Sequence, residues 1–260
     1  MFQIERQERI LEYINANTKA NTNELAEYFS VSKVTIRRDI EALDAQGLIV
    51  KTHGGAISVA KNLHHEIPYA FKAERNQDSK KRIGVVAARY IEEGDIIILD
   101  SGSTTLEIAK NIVQKNVTVV TDDIKIAMEL SDKDNVTVIV SGGTLNDSVY
   151  TLTGNNAIEF FSRLHVNKTF LGCDAVDLEF GISNRTYEEV DIKAAMIRAA
   201  DEVIMVTDSS KLGRKVFCQL CDLSAIDKVI IDKIDDRNRK GFTEKGVEII
   251  VAAAVSVSEG

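Results

Sequence analysis

The sequence predicts a small helical domain carrying a β-hairpin, followed by a larger α/β domain built on a parallel sheet. Three observations predict this pair. From Glu5 to Leu43 apolar residues recur at helical spacing, then give way to two short β-rich runs around Gly54-Gly55. The stretch after them holds the chain's single proline, Pro68, and no clear periodicity. From about Ser79 helices alternate with short, nearly continuous apolar runs, the pattern of a parallel sheet covered on both faces.

The first helix is expected from Glu5 to about Asn17, with Ile10, Leu11 and Ile14 on its buried side. Asn21-Thr22-Asn23-Glu24 sets an N-cap with a glutamate three residues on, opening a short helix that gathers Leu25, Ala26 and Phe29 on one face. Ser30-Val31-Ser32 makes a tight break, and Ser32 is available as the next N-cap. The helix that follows places Ile36, Ile40 and Leu43 on one stripe, and Gly47 closes it. Its other side offers Lys33, Thr35, Arg37 and Arg38, residue types that reach phosphate oxygens and guanine edges from a helix in a DNA major groove. Two helices joined by a turn of about three residues form a helix-turn-helix, here over about residues 20–46. Leu48–His53 reads as a strand, Gly54-Gly55 as a hairpin turn and Ala56–Val59 as the return strand, a wing beside the recognition helix. The candidate DNA-contacting residues are Ser32, Lys33, Thr35, Arg37 and Arg38, joined by Lys51, His53 and Gly54 on the wing. The alternative for a basic helix taken alone is a solvated charged face; the preceding helix, turn and hairpin, all in register, favour double-stranded DNA as the partner.

Charge sharpens this reading. The chain of 260 residues is 44% hydrophobic, enough for a sizeable core, and carries a formal charge of −8. Residues 1–58 hold seven Lys or Arg and eight Asp or Glu, a net of −1, which leaves −7 for the rest. The case for DNA therefore rests on local placement, and non-specific binding is expected to be weak. No apolar run is long enough to span a membrane and Met1–Arg6 lacks a signal-peptide core, so a cytoplasmic location is expected. Three cysteines, Cys173, Cys218 and Cys221, do not suit a disulfide framework. Cys218-x-x-Cys221 has no second pair to complete a zinc site, so buried or idle thiols are expected and no metal.

Domain boundaries are expected at 1–59 and 79–260, with 60–78 as linker. In the second domain, the helix at Ser79–Glu92 leads to a strand at Asp95–Leu99, a helix at Thr104–Gln114, a strand at Val117–Thr121, a helix at Asp123–Leu130 and a strand at Val136–Val140. A helix near Asn155–Leu164 follows, then a strand at Lys168–Leu171, a helix at Tyr187–Ala200, and strands at Val203–Val206, Lys228–Ile231 and Val247–Val251.

In open α/β sheets ligands sit outside the carboxyl ends of the strands. There the sequence places Asp100-Ser101-Gly102-Ser103-Thr104-Thr105, a small glycine loop with hydroxyls at a helix start, suited to a phosphate. Asp100 would repel that phosphate, so its expected part is to accept from a sugar hydroxyl or hold the loop. Other strands end in Thr121-Asp122, Ser141-Gly142-Gly143-Thr144, Gly172-Cys173-Asp174 and Thr207-Asp208-Ser209-Ser210-Lys211. Each is also ordinary turn chemistry, yet together they outline a pocket for a small polyhydroxylated anion. Lys211, directly after a strand end, is a candidate charge partner for the anion.

Thr35-Ile36-Arg37-Arg38-Asp39 with His53-Gly54-Gly55-Ala56, followed in order by Asp100–Thr105, Gly142-Gly143, Gly154, Leu171–Asp174 and Asp208–Lys211, resembles the DeoR family of bacterial transcriptional regulators across essentially the whole chain. The resemblance implies a winged-helix repressor of a carbohydrate operon, released by a phosphorylated sugar or polyol, with a sensor domain similar to ribose-5-phosphate isomerase. It also implies that Lys193 faces the ligand; the alternative is a capping box of Thr186 with Glu189 and an i,i+4 surface pair of Glu189 with Lys193. Where many members read Gly-x-Asp-Gly, this chain has Gly172-Cys173-Asp174-Ala175. The isomerases carry a Lys-Gly-Gly-Gly loop shortly after the acidic strand end, whereas this chain has Glu179-Phe180-Gly181-Ile182-Ser183-Asn184. A regulator without catalytic residues or cofactor is therefore expected, with a sugar-phosphate isomerase or a metabolite-independent DNA binder as the rivals. A symmetric dimer or tetramer is expected because helix-turn-helix proteins read paired half-sites.

Overall fold

The computed structural model describes residues 3–45, 48–58, 69–146 and 149–253. The chain divides into two compact units, Met1–Ile67 and Pro68–Gly260.

The first unit runs α1 (Gln3–Asn17), β1 (Lys19–Asn21), α2 (Thr22–Tyr28), α3 (Lys33–Ala45), β2 (Ile49–Thr52) and β3 (Gly55–Ser58). Ile10 and Ile14 of α1, Leu25 of α2, and Ile36, Ile40 and Leu43 of α3 are fully or almost fully buried. Each such side chain contributes about 1.5–3 kcal/mol. Leu11 is only half-buried; Gln7, one turn earlier, is the buried neighbour instead. It is there because its amide donates to Asp39 of α3 at 3.1 Å. The capping box of α2 has both halves, Glu24 N to Asn21 Oδ1 at 2.8 Å and Asn21 N to Glu24 Oε2 at 3.3 Å.

Two features of the wing differ from expectation. The turn falls on His53 and Gly54, not Gly54-Gly55, and β1 pairs with β3 to make an antiparallel sheet of order β1-β3-β2. Gly55 opposes Asn21, and a Cβ there would lie 2.1 Å from the Ala20 carbonyl. Gly55 therefore serves close strand approach rather than the turn. Gly47 and Val59 lie outside the described residues.

The second unit begins with α4 (Tyr69–Glu74) and α5 (Gln77–Ala88). Of the expected linker 60–78, residues 60–68 lie outside the described residues, while Tyr69–Glu74, Gln77 and Asp78 are helical; Ser103 Oγ donating to the Lys72 carbonyl and Asn76 Nδ2 donating to Asp208 Oδ1 order what its sequence alone leaves aperiodic. Then come β4 (Ile96–Leu99), α6 (Ser103–Lys110), β5 (Val117–Thr121), α7 (Ile124–Leu130), β6 (Val136–Val140), β7 (Thr144–Asn146), β8 (Thr151–Thr153), α8 (Asn155–Ser162), β9 (Val166–Leu171), β10 (Ala175–Asp177), β11 (Gly181–Asn184), α9 (Tyr187–Ala199), β12 (Ala200–Thr207), β13 (Cys218–Cys221), β14 (Lys228–Ile231), α10 (Asp236–Glu244) and β15 (Glu248–Val251).

Seven strands form one parallel sheet of order β15-β14-β12-β9-β4-β5-β6. Alternation along β4 sends Ile97 and Leu99 to a cluster with Ile83, Ile108 and Ile126 from α5, α6 and α7, and Ile98 to the opposite cluster with Phe161 and Met196 from α8 and α9. Both faces are thus covered. The chain lays β4, β5 and β6 outward in one direction, returns to β9 beside β4, and continues the other way. The switch point lies between β4 and β9, where the adjoining connections diverge to opposite faces, the place where open α/β sheets bind ligands.

Candidate functional site

In the first unit the face of α3 away from the core is exposed at Lys33, Arg37 and Arg38 and half-buried at Thr35. Ser32 caps the helix, its Oγ 3.1 Å from Thr35 N and 2.9 Å from Thr35 Oγ. His53 and Gly54 are exposed at the hairpin tip, and the Gly54 carbonyl accepts from Thr22 N at 2.8 Å. Lys51 is exposed on the wing, with its ammonium 2.7 Å from Glu41 of α3. That exposed pair ties wing to helix weakly. Sequence reasoning missed Val34, 57% exposed on the same face, the kind of apolar side chain that meets a thymine methyl. It also missed the reason for Asp39, which is buried and receives Arg6 Nε at 2.6 Å and Nη2 at 3.2 Å.

In the second unit β4 ends at Asp100, fully buried at the switch point. Its Oδ2 accepts from Gly172 N of the β9 loop at 2.7 Å and from the Lys193 ammonium. Lys193 is itself buried and also reaches the Gly172 carbonyl at 3.4 Å. Burial works against its charge, but Asp100 and Glu189 more than offset this and hold its pKa above the ordinary lysine value. The expected surface alternative fails: Thr186 makes no side-chain cap, and Glu189 is buried, accepting from Asn184 Nδ2 at 3.1 Å.

Asp122, at the end of β5, is buried, and burial together with the Asp100 charge drives its pKa well up. Asp123, which sequence reasoning passed over, organises the loop. Its carboxylate caps α7 through Lys125 N and Ile126 N at 2.7 and 3.1 Å and accepts from Gly102 N at 3.1 Å. Burial pushes it up to about 6 against those three amides. Ser101 and Thr104 are half-buried, while Ser103 and Thr105 are buried; Thr105 Oγ1 donates to Gly102 O at 2.9 Å. The N-terminus of α6 has no side-chain cap, leaving first-turn amides and the positive dipole end for an anion.

Asp174, after β9, is buried with Arg185 N on Oδ2 at 3.2 Å and the Lys72 ammonium 3.4 Å from Oδ1. Burial alone would raise its pKa; Lys72 foremost, with Lys211, Arg185 and Lys193, pulls it well below the carboxylate range. Lys211 lies in a 3-10 turn after β12, close enough to act on Asp174. Gly142 and Gly143 are not part of this group. They are exposed at the end of edge strand β6, and a Cβ on Gly143 would meet the Thr153 carbonyl of β8 at 2.5 Å. Turn packing accounts for them.

Several buried polar atoms here have no partner among the described residues, namely Asp100 Oδ1, Asp122 Oδ1, Asn184 Oδ1 and Arg185 Nε. Such groups are costly unless something satisfies them. An open cavity of about 660 Å³ lies farther along the same edge, between Asn76, Ser79, Ser209, Ser210, Asp232 and Asn238. Of the expected strand ends only Ser209 and Ser210 line it. The strand ends around Asp100 carry the stronger chemistry, because buried charges and unsatisfied atoms gather there near an uncapped helix start. Cys218 and Cys221 stand on β13, and among the described residues no three His, Cys, Asp or Glu side chains gather as a metal needs.

Comparison with known proteins agrees with this arrangement. The DeoR-like helix-turn-helix domain matches residues 6–62 and the DeoR C terminal sensor domain matches residues 75–233. The HTH-type transcriptional regulator GlpR of Haloferax volcanii is 34% identical over 98% of this chain and 100% of its own. The glycerol-3-phosphate regulon repressor of Escherichia coli is 30% identical over 89% of this chain and 92% of its own. Among solved structures, ribose 5-phosphate isomerase A from Methanocaldococcus jannaschii aligns with 54% of this chain and 56% of its own at 17% identity, with a TM-score of 0.39, too loose to carry an argument. A winged helix with an exposed basic reading face, joined to a parallel-sheet sensor and matched in both parts, makes the chain a DNA-binding transcriptional regulator that belongs to the DeoR family.

Proposed function

We propose that this regulator represses an operon for carbohydrate or polyol use and that a phosphorylated sugar or sugar alcohol, bound at the switch point between β4 and β9, sets its affinity for operator DNA. The observation that carries the reading is the pairing of an uncapped α6 N-terminus with Asp100 and Asp122, whose buried Oδ1 atoms lack partners among the described residues. The first suits a phosphate and the second suits hydroxyls. A relative named for a glycerol-3-phosphate regulon supports a ligand of this class. On this reading Asp100, Ser101, Gly102, Ser103, Thr104, Thr105, Asp122, Asp174, Lys193 and Lys211 form the effector site, and Ser32, Lys33, Thr35, Arg37 and Arg38 face the operator.

We assign no turnover to the site. Lys193 is held by Asp100, and Glu179–Asn184 forms a turn and strand β11 where an isomerase needs a lysine-glycine loop. Residues 1–59 serve as the DNA-binding part and those from Tyr69 onward as the sensor, working as a symmetric oligomer on paired half-sites.

The test is a thermal-shift titration against sugars, polyols and their phosphates in matched pairs. A ligand at a hundred times its dissociation constant stabilises the folded protein by about 2.7 kcal/mol. One phosphorylated compound is expected to raise the melting midpoint while its dephosphorylated twin does not. A panel in which no phosphate shifts the midpoint sinks the effector reading.

A further inference from the structure

The hairpin of β10 and β11 brings two stretches of chain together beyond the carboxyl end of β9. Ala175 of β10 opposes Ser183 of β11, so Asp174, just before the first strand, meets Asn184 and Arg185 at the end of the second. Arg185 N donates to Asp174 Oδ2 at 3.2 Å, which fixes the Arg185 backbone against a carboxylate whose side chain is 3% exposed. Helix α9 starts two residues on, and its N-cap Thr186 supplies no side-chain bond. Asp174 in turn connects this corner to the start of α6. Its Oδ1 lies 3.4 Å from the Lys72 ammonium, and the Lys72 carbonyl accepts from Ser103 Oγ, the first residue of α6, at 3.3 Å.

The Arg185 side chain is the unmatched member of this group. A guanidinium carries five N–H donors in a fixed planar fork. Among the described residues none of the five meets an acceptor, and Nε is buried. Asp174 is near enough to feel the Arg185 charge, yet its two oxygens are already engaged, one by Lys72 and one by the Arg185 amide. The neighbouring Asn184 is 3% exposed and shows the complement: Nδ2 donates to Glu189 at 3.1 Å, while Oδ1 has no donor among the described residues. An unmet donor and an unmet acceptor thus stand on consecutive residues without satisfying each other. Burying a charged N–H without an acceptor is costly, and a ligand oxygen removes that cost.

We propose that Arg185 is an effector-binding residue whose Nε and one Nη grip two oxygens of an oxyanion on the ligand, a phosphate or a carboxylate. This rests on the effector site proposed above and adds to it a residue that selects anionic ligands over neutral polyols. The fork matches the two oxygens of such a group in a way that no lysine at the site can. Asn184 Oδ1, beside it, accepts from a ligand hydroxyl.

Isothermal titration calorimetry of the full chain with inorganic phosphate and with gluconate 6-phosphate, which carries a phosphate and a carboxylate, tests this. Arg185→Gln is expected to weaken binding by about tenfold to a hundredfold, the worth of one hydrogen bond to a charged group. A loss with both compounds places the fork on the phosphate, and a loss with gluconate 6-phosphate alone places it on the carboxylate. The melting midpoint without ligand is expected to stay unmoved, because the fork makes no bond to the described residues. Arg185→Lys keeps a charge beside Asp174 but has no fork, and is expected to lose most of the same affinity, again at an unmoved midpoint. Wild-type affinity for both compounds in either variant overturns the assignment and leaves the effector site standing. A midpoint lowered in both variants marks a structural arginine and overturns it as well. No binding of either compound by the wild-type chain overturns the effector site and this assignment together.

Discussion

Lys193 and Asp100, 93 residues apart in sequence, form a buried ion pair that joins α9 to the end of β4. Because Asp100 also accepts from Gly172 N, the pair extends the bonding of β4 to β9 past the last rung of their ladder. Removing one partner of a buried pair leaves the other charge uncompensated, at a cost of about 3–5 kcal/mol. Lys193→Met is expected to lose that much stability in urea unfolding. Lys193→Met with Asp100→Asn should recover part of it, since the orphaned charge is gone. A single variant within about 1 kcal/mol of wild type, below the range for breaking a buried pair, refutes the arrangement.

Operator contact and domain stability are expected to separate at adjacent residues of α3. Arg37 and Arg38 are exposed, whereas Asp39 is buried under Arg6 and Gln7. Arg37→Ala or Arg38→Ala should weaken operator binding by about 1–3 kcal/mol where a base is contacted, with the melting midpoint unmoved. Asp39→Ala should instead lower the midpoint, because the two partly buried donors of Arg6 and the buried amide of Gln7 lose their acceptor. Anisotropy titrations with operator DNA, run beside thermal melts, check both. Equal operator affinity in both arginine variants and in their double counts against α3 as the reading helix.

The difference between Arg38 and Asp39 illustrates what was legible in the sequence. Periodicity separates the Ile36, Ile40 and Leu43 stripe from the basic face, and polar loops after apolar runs mark the strand ends. Local pattern says nothing of partners 33 positions away, so the Arg6 tie to Asp39 was invisible. The small sheet of β10, β11 and β13 was missed for a similar reason: its strands are three or four residues long and mixed in polarity, and β13 pairs with β11 from far along the chain. Thr186 and Glu189 have capping-box spacing, yet Glu189 turns inward to Asn184 because burial beside Lys193 outweighs a local cap. Tyr69–Asn76 reads as linker because its partners Ser103, Asp174 and Asp208 are single side chains that follow three separate strands.

The two glycines at the wing are expected to respond oppositely to alanine. At Gly54 a Cβ meets nothing within 4 Å, whereas at Gly55 it meets the Ala20 carbonyl at 2.1 Å and the Asn21 Cα at 2.7 Å. Gly54→Ala should fold as wild type. Gly55→Ala must separate β3 from β1 and is expected to lower stability by about 1–3 kcal/mol, the range for overpacking. Similar melting midpoints for the two variants contradict the β1-β3 pairing.

Asp123 ties the loop before α6 to the start of α7, and its titration gives stability a definite pH dependence. Its carboxyl is raised from 3.8 to about 6 by burial, so between those values the folded protein binds more protons than the unfolded chain. Stability contributed by this group is then full below about pH 4 and falls as pH rises through about 6. A shift of about two units corresponds to about 3 kcal/mol. Asp123→Asn keeps an oxygen for the amides of Lys125 and Ile126 but cannot ionise. Urea unfolding at pH 4.5 and 6.5 should show the wild type losing stability across this interval and Asp123→Asn losing distinctly less. Asp122, also raised by burial, acts with the same sign, so it adds a slope that persists in the variant. Identical slopes in the two proteins between pH 4.5 and 6.5 would mean that the three amides around Asp123 hold its charge without cost, and that the loop at Gly102 is not placed by a strained carboxylate.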